Sequence, residues 1–550
     1  MASEIVVGID FGTTYSGVSW AVNAGTKTVR LINDWPDPVN PVANSEKVPT
    51  AISYENGLPH SFGYNVPPVG RGLRWFKLLL DPKHSYARTR EAITSRKQID
   101  NLHKTPEDVA SDYLRMIWSY TKEDISRVKG DGWESLYLLK IVLTVPAIWT
   151  PAARDRTKRV AEMAGIPGEI HLVTEPEAAA LAVLKDRNDE DDANLKTGDA
   201  FVVCDAGGGT VDLISYKVSG VDPLRIEECA VGDDKSKQKM MREFEAAVKR
   251  SYAGDNKDYS VDLQGVDDDL AEGIDDDTIT LKANSVKTIF DIVINKISHL
   301  VDKQVEESKD NDVDAILLVG GFGANKYLHN RLKLSNKSQN IQVLQVNGAW
   351  SSICRGATLW GLENSTRRDA GASKTVASRL ARYSYGHCWN VIFDPSIHRI
   401  EDRVVGMDGV IRATNQMNWV IKKGDRIEEN RLISVPCCGI LGRVGFRSVM
   451  KGGAETSGVE LLYCADDEPP AGKGTSVKPL CSVSWEIEHA KLYAERSQKG
   501  ANGTKFTSPK FELRVLLGGA AIQFSVYYKG EEVAHTKAKY KEEFVTSFTV

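Results

Sequence analysis

The chain has 550 residues, 41% of them hydrophobic and 26% charged, and a formal net charge of -5. That length exceeds what one core holds, so several domains are expected, and the acidic balance without a Lys/Arg stripe excludes nucleic acid as the main partner. No apolar run is long enough to span a bilayer. The opening MASEIVVGID leads straight into a strand with no secretory signal, and the eight cysteines include no C-x-x-C pair. The expectation is therefore a cytoplasmic protein with reduced thiols and no membrane contact.

The first element is Ile5 to Val22, IVVGIDFGTTYSGVSWAV: a β-branched strand ending at Asp10, a tight turn Gly12-Thr13-Thr14, and a second strand from Val18. Nearly the same pattern returns at Phe201 to Val218, FVVCDAGGGTVDLISYKV, where Asp205 and Thr210 hold the places of Asp10 and Thr13. A repeat at this separation predicts two related lobes, each offering one hairpin loop to a shared site. Glycine lets backbone N–H groups approach phosphate oxygens closely, and an aspartate at each strand end suits a hydrated Mg²⁺. A strand rather than a helix follows the glycines, which rules out the Rossmann and Walker arrangements. Either copy alone is equally well a structural hairpin; both together, each with Asp and Thr, argue for a site.

Residues 30–60 are rich in turn formers and precede a strand, Pro49 to Tyr54. Leu73 to Leu80 has the spacing of a short helix carrying Lys77 among Trp75, Phe76, Leu78 and Leu79; that lysine is either a snorkelling surface residue or a cation reaching a phosphate. Residues 105–128 open with Thr105-Pro106 and read as an amphipathic helix. Leu138 to Val145 is a buried strand, and Pro151 to Gly165 a helix with proline at its start and glycine at its end. His171 to Thr174 is a short strand, and Glu175-Pro176-Glu177 opens an alanine-rich helix whose dipole alone accounts for both carboxylates. The run 186–194 reads as a solvated loop.

After the second hairpin, Met240 to Tyr252 has a helical pattern, 254–277 is acidic and loop-rich, and Val286 to Ser308 is a long amphipathic helix. Asp314 to Leu332 runs strand, Gly-rich turn, helix, so a helix N-terminus faces the turn. Leu344 to Asn347 is a short strand, and Ala349 to Leu362 a helix whose small residues permit a close helix crossing suited to a hinge. From about Thr375 short β runs alternate with turn signals such as Asp408-Gly409 and Lys529-Gly530, predicting a separate β-rich domain with no closing helix; alternating β residues continue to Phe544–Val550. Adjacent Cys437-Cys438 read as sheet residues.

With these pieces in place, residues 4–365 resemble the nucleotide-binding domain of DnaK-type heat-shock chaperones, within the actin-like ATPase superfamily. The resemblance rests on ordered motifs: IDFGTTYSG as the first phosphate motif, VPAIWTPAARDRTKRVAEMAGI with LVTEPEAAAL as the first connecting motif, and VCDAGGGTVDLIS as the second phosphate motif. ILLVGGFGAN then resembles the adenosine motif and NGAWSSICRGATLWGL the second connecting motif. It implies an α/β, two-lobed actin-like ATPase domain (a duplicated ribonuclease-H-like fold) over 1–375, with lobe I at 1–190 plus 348–375 and lobe II at 198–347. A β-rich domain would follow over 376–550. It implies ATP and Mg²⁺ as ligands. Asp10 and Asp205 would organise the metal. Gly12, Thr13, Thr14, Tyr15, Gly207, Gly208, Gly209 and Thr210 would cradle the phosphates. Lys77 would steady the attacking water, with Glu175 beside it. Gly320, Gly321 and Gly323 would border the adenosine, and Glu245, Lys249 and Arg250 would flank the base at a spacing one residue off the family pattern.

The departures are specific. After Cys229, where the family has a further glycine-rich loop, the sequence is CAVGDDKSKQKMMREFE with the single Gly232. Trp350-Ser351-Ser352 stands where the second connecting motif is acidic. The leucine-rich interdomain linker, the peptide-binding domain and the helical lid are not recognisable, so ordinary client binding does not carry over. Three functions compete: a slowly hydrolysing ATP-driven switch whose C-terminal domain meets a protein partner; an ATP-dependent enzyme, kinase-like or biosynthetic, acting on a small molecule in the same cleft; and a binding module that holds nucleotide without hydrolysis. Asp10, Lys77, Glu175, Asp205 and Thr210 argue against the third, and no acceptor site is visible for the second.

Overall fold

Strands β1 (Ser3–Asp10) and β2 (Tyr15–Val22) form an antiparallel hairpin in register from Ile5↔Val22 to Asp10↔Gly17. β1 runs parallel to β3 (Tyr137–Val145), and β3 runs parallel to β4 (Glu169–Thr174). The computed structural model describes residues 3–38, 44–67, 72–82, 85–185, 196–207, 211–221, 224–231, 252–262, 274–275, 278–308, 312–345, 348–364, 376–406, 408–428, 431–438, 441–442, 454–493, 495, 497–501, 503, 505–518, 521–536 and 539–540. These fall into two compact units, Met1–Ala377 and Ser378–Val550.

A second sheet in the first unit repeats the topology. β5 (Ala200–Ala206) and β6 (Val211–Val221) form an antiparallel hairpin in register from Ala200↔Lys217 to Ala206↔Val211. β7 (Leu224–Val231) extends it beside β6. On the other side β5 runs parallel to β8 (Val313–Val319), and β8 to β9 (Gln342–Gln345). The orders β2-β1-β3-β4 and β6-β5-β8-β9 are the same, with the same strand directions. Near-continuous apolar strands such as β1 and β8 follow from parallel pairing under helices, which buries both faces.

The helices begin where local chemistry dictates. In α1 (Pro106–Lys129) the Thr105 hydroxyl accepts from the Asp108 N–H and the Asp108 carboxylate from the Thr105 N–H, with proline in the first turn. At α2 (Pro151–Met163) the Thr150 hydroxyl accepts from the Ala153 N–H, again with proline in the first turn. α3 (Glu175–Lys185), α4 (Ala283–Glu307), α5 (Lys326–Ser335) and α6 (Ser352–Glu363) follow. One core joins the two sheets through α3 and α6: Val6, Val142 and Val173 of the first and Phe201, Val203 and Leu317 of the second share it with Ala178–Leu181 and Ala357. The small residues of α6 do permit a close crossing, since a Cβ on Gly356 would lie 1.6 Å from the Ala178 carbonyl oxygen.

The second unit carries a sheet in which Arg403–Val405, Ile411–Ile421, Ser384–Ile392, Ala454–Cys464, Val477–Glu488 and Lys539–Tyr540 are successive neighbours. A second sheet orders Arg431–Cys438, Lys510–Gly518, Ala521–Tyr528 and Glu531–Thr536. Their core is Trp485, Leu513, Phe524 and Val526, and the helix described here is the short His489–Tyr493. Cys437 and Cys438 are indeed strand residues.

Two expectations change. The segment Leu73–Leu80 is a short strand, Leu73–Arg74, followed by a 3-10 turn over Phe76–Leu80, entered through Trp75 at φ 63. Glu177 does not serve the helix dipole alone: it is 2% exposed and accepts 3.0 Å from the Trp360 indole of α6. The helical pattern at Met240–Tyr252, the loop at 186–194 and the run Phe544–Val550 lie outside the described residues, apart from Tyr252. No described helix is long and apolar enough to cross a membrane.

Candidate functional site

Asp10 is the last residue of β1 and Asp205 the last but one of β5, and they are 1% and 5% exposed. Asp10 is held on both carboxylate oxygens: Lys47 Nζ donates to Oδ2 at 2.6 Å and Thr144 Oγ1 to Oδ1 at 3.1 Å. Lys47 arrives because Val48-Pro49 pairs with Tyr15-Ser16 beside the first turn. Lys77 is not a snorkelling lysine. It is 1% exposed, 2.8 Å from Glu175 Oε1, with its ammonium 5.3 Å from the Trp149 ring centre and 5.8 Å from that of Phe11. The 3-10 turn turns it inward, and two aromatic faces with one carboxylate replace its water.

Glu175 opens α3 and reaches toward the second hairpin, where one oxygen each of Glu175, Asp205 and Asp212 lie within 4.8 Å of one another, all buried. Asp212 faces Asp205 across the β5–β6 register. Burial, and next the charge of Glu175, push the Asp205 carboxyl up to about 7, while Lys47 and Lys77 pull the other way. Burial likewise raises Glu175 against the opposing pull of Lys77. For Lys47 burial works to lower the ammonium, but Asp10 prevails and the net direction is up. Asp10, Lys47, Lys77, Glu175 and Asp205 thus act on one another electrostatically.

The turns around them are built for close approach. A Cβ on Gly12 would lie 2.0 Å from the Tyr15 carbonyl oxygen; Thr50 Oγ1 donates to the Gly12 carbonyl at 2.8 Å and the Thr50 N–H to the Thr14 carbonyl at 2.8 Å. Thr13, Thr14 and Tyr15 are half-exposed beside them. Gly320, at φ 86, is a second such position, where a Cβ would lie 2.2 Å from Asp205 Oδ1. The Phe322 and Gly323 N–H groups donate to the Ala206 carbonyl, seating the Gly320–Gly323 turn on the end of β5. Gly321 lies under the Trp350 indole, whose ring meets Tyr15 edge-on at 5.4 Å between centres.

Asp10, Lys77, Glu175, Asp205, the first turn and the Gly320–Gly323 turn are therefore brought together, with the half-exposed Gly207 at the end of β5. Gly208, Gly209, Thr210, Glu245, Lys249 and Arg250 lie outside the described residues. Lys47 and Asp212 were missed. The signal for Asp212 is an acid between the apolar Val211 and Leu213 directly after the glycine turn; Lys47 has none, because its place depends on a long-range strand pairing.

The residues present fit a hard divalent cation. Asp205 Oδ1 is buried with no hydrogen-bond partner among the described residues, and three carboxylates converge there. Among the described residues these carboxylates and that of Asp10 are buried, and carboxylate oxygens are the donors a hard divalent cation takes.

Residues 88–220, spanning α1 to β6 with Glu175, Asp205 and Asp212, match the family model described as Hsp70 protein. A "Chaperone protein HscA homolog" of Acinetobacter baumannii is 23% identical over 353 residues, 58% of this chain and 52% of the relative. The chain is a divergent Hsp70-type relative. A "Chaperone protein HscA homolog" of Rickettsia prowazekii is 25% identical over 341 residues (58% of this chain, 50% of the relative), and "Chaperone protein DnaK" of Mycoplasma mycoides subsp. mycoides SC 25% over 355 (58% and 53%). The chain spans about half the length of these curated Hsp70-type relatives. Beyond the Hsp70-type region, residues 379–542 match a domain of unknown function (DUF8568).

Proposed function

We propose that this chain binds ATP with Mg²⁺ between the two hairpins and hydrolyses it slowly, as a chaperone-like conformational switch. The domains are those of an actin-like nucleotide-binding module over 1–375, with duplicated lobes at 1–190 plus 348–375 and 198–347, and a β-rich domain over 376–550. The observation that carries the reading is the meeting of two aspartates at the ends of strands, from sheets that share a four-strand order, with the Lys77–Glu175 pair. Magnesium supplies charge neutralisation of the phosphates.

The chain's own residues would divide the work as follows. Asp205, with Asp212 and Glu175 beside it, holds the metal and its water ligands; Asp10 joins them from the opposite strand end, its carboxylate shared with Lys47. Thr13, Thr14 and Gly12 present backbone and hydroxyl groups to phosphate oxygens from the first hairpin, and Gly207, Gly208, Gly209 and Thr210 from the second. Lys77 and Glu175, locked by packing and by each other, hold the attacking water; such positioning rather than covalent chemistry is what phosphoryl transfer needs. Gly320, Gly321 and Gly323 border the nucleoside, with Glu245, Lys249 and Arg250 near the base. The α3–α6 crossing is the hinge across which the lobes close, and closure signals to residues 376–550, which meet a protein partner. A cytoplasmic setting fits this role.

The test is calorimetry of ATP and ADP with Mg²⁺, together with phosphate release over hours. Micromolar binding with slow phosphate release, the release being abolished by Asp10→Asn or Asp205→Asn, supports the switch. Release that needs an added metabolite points instead to a small-molecule enzyme, and binding without release to a passive module.

A further inference from the structure

Lys47 lies outside every motif that marks the site, yet it is 4% exposed and its Nζ touches Asp10 at 2.6 Å. Its backbone is pinned. The Lys47 carbonyl accepts from Ser45 Oγ at 2.9 Å and from the Tyr64 hydroxyl at 3.0 Å, and the next two residues pair with Tyr15-Ser16. Its stem lies over Gly17, where a Cβ would come within 3.1 Å of Lys47 Cγ and 3.2 Å of Cys354 Sγ. The glycine on β2 thus leaves the channel through which this side chain reaches the strand end. The distal arm of Lys47 ends at Asp10, two residues before the half-exposed turn Gly12–Thr14.

We propose that Lys47 is a built-in cation of the phosphate site. It neutralises Asp10 when no divalent metal is present, and it turns to the terminal phosphate oxygens of a bound nucleotide, so that nucleoside di- and triphosphates bind even without metal. The proposal rests on the nucleotide reading above and adds a ligand to it. A lysine placed here only for stability would behave differently: a purely structural buried pair is replaceable by apolar side chains at little loss, and its removal would not distinguish one nucleotide from another. A phosphate ligand forms a charge-assisted hydrogen bond to the distal phosphate, so its removal is felt by the diphosphate and not by the monophosphate.

The test titrates ADP and AMP calorimetrically into the full chain, wild type and Lys47→Met and Lys47→Arg, each in Mg²⁺ and in EDTA. In EDTA the wild type should bind ADP within about tenfold of its affinity in Mg²⁺. Lys47→Met should weaken metal-free ADP binding by roughly 10–100-fold, the range of a hydrogen bond to a charged group. AMP should be unaffected, and Lys47→Arg should recover part of the loss. Equal ADP affinity for wild type and Lys47→Met in EDTA, or an equal loss for AMP, overturns the proposal while leaving the nucleotide reading standing. A wild type that binds neither nucleotide even with Mg²⁺ overturns both. Should Lys47→Met fail to fold by circular dichroism, Asp10→Asn answers the same question: freeing Lys47 from its carboxylate should strengthen metal-free ADP binding, and unchanged or weaker binding overturns the proposal.

Discussion

Gly356 of α6 and Ala178 of α3 are in backbone contact: any side chain at 356 would begin 1.6 Å from the Ala178 carbonyl oxygen. The helices meet there at the centre of the core shared by both sheets. Because the obstacle is backbone, no neighbouring side chain can yield. Gly356→Ala should therefore cost at least the roughly 1–3 kcal/mol typical of overpacking, as a lower urea midpoint. Ala178→Gly should not rescue it. A Gly356→Ala protein as stable as wild type would show that the crossing is looser than described.

The pair Lys77–Glu175 is buried on both sides, so removing one partner strands the other. Lys77→Met and Glu175→Leu should each destabilise by about 3–5 kcal/mol, and the double variant should recover most of that loss because no lone charge remains. If the pair also holds the attacking water, Lys77→Met should slow phosphate release by about 10²-fold or more while ADP affinity changes little. Additive single-variant losses in a double-mutant cycle would contradict the stability argument, and an unchanged release rate the catalytic one.

Much of this arrangement was legible in the sequence, and the reason is local. Asp10 and Asp205 stand out because each ends an apolar strand before glycines, and the helix starts at Pro106 and Pro151 carry their own capping threonines. Lys77 was ambiguous because a lysine among apolar residues reads alike whether its ammonium leaves the core or enters it; the left-handed Trp75 at φ 63, invisible in the sequence, decides the direction. Lys47 was illegible. It sits in a turn-rich stretch, and only the pairing of Val48-Pro49 with Tyr15-Ser16, a contact distant along the chain, brings it to Asp10.

The buried thiols give a chemical prediction. Burial pushes Cys354 up to about 12 and raises Cys204 as well, and both are 0% exposed. The reactive species is the thiolate, so iodoacetamide at pH 8 should leave both unmodified in the native protein and alkylate both in urea, as read by peptide mass spectrometry. Native labelling of Cys354 would mean that the contact between β2 and α6 opens, since that thiol lies against Gly17.

Asp205 sets a pH dependence whose sign is fixed. Its folded-state carboxyl titrates at about 7, raised first by burial and then by Glu175, against an ordinary aspartate near ~3.9. Between these values the folded chain keeps a proton that the unfolded chain has lost, so this group's contribution to stability declines as pH rises from about 4 to about 7 and stays low above that. A divalent metal reverses the balance by favouring the ionised carboxylate. The rise in melting temperature on adding MgCl₂ should therefore be larger at pH 8 than at pH 6, with proton release on binding below pH 7. Asp205→Asn removes the titrating group, and it should flatten the metal-free profile between pH 5 and 8 and abolish the metal effect together. A variant that flattens the profile yet keeps the full response to MgCl₂ would assign the metal to other carboxylates, with Glu175 and Asp212 the next to replace.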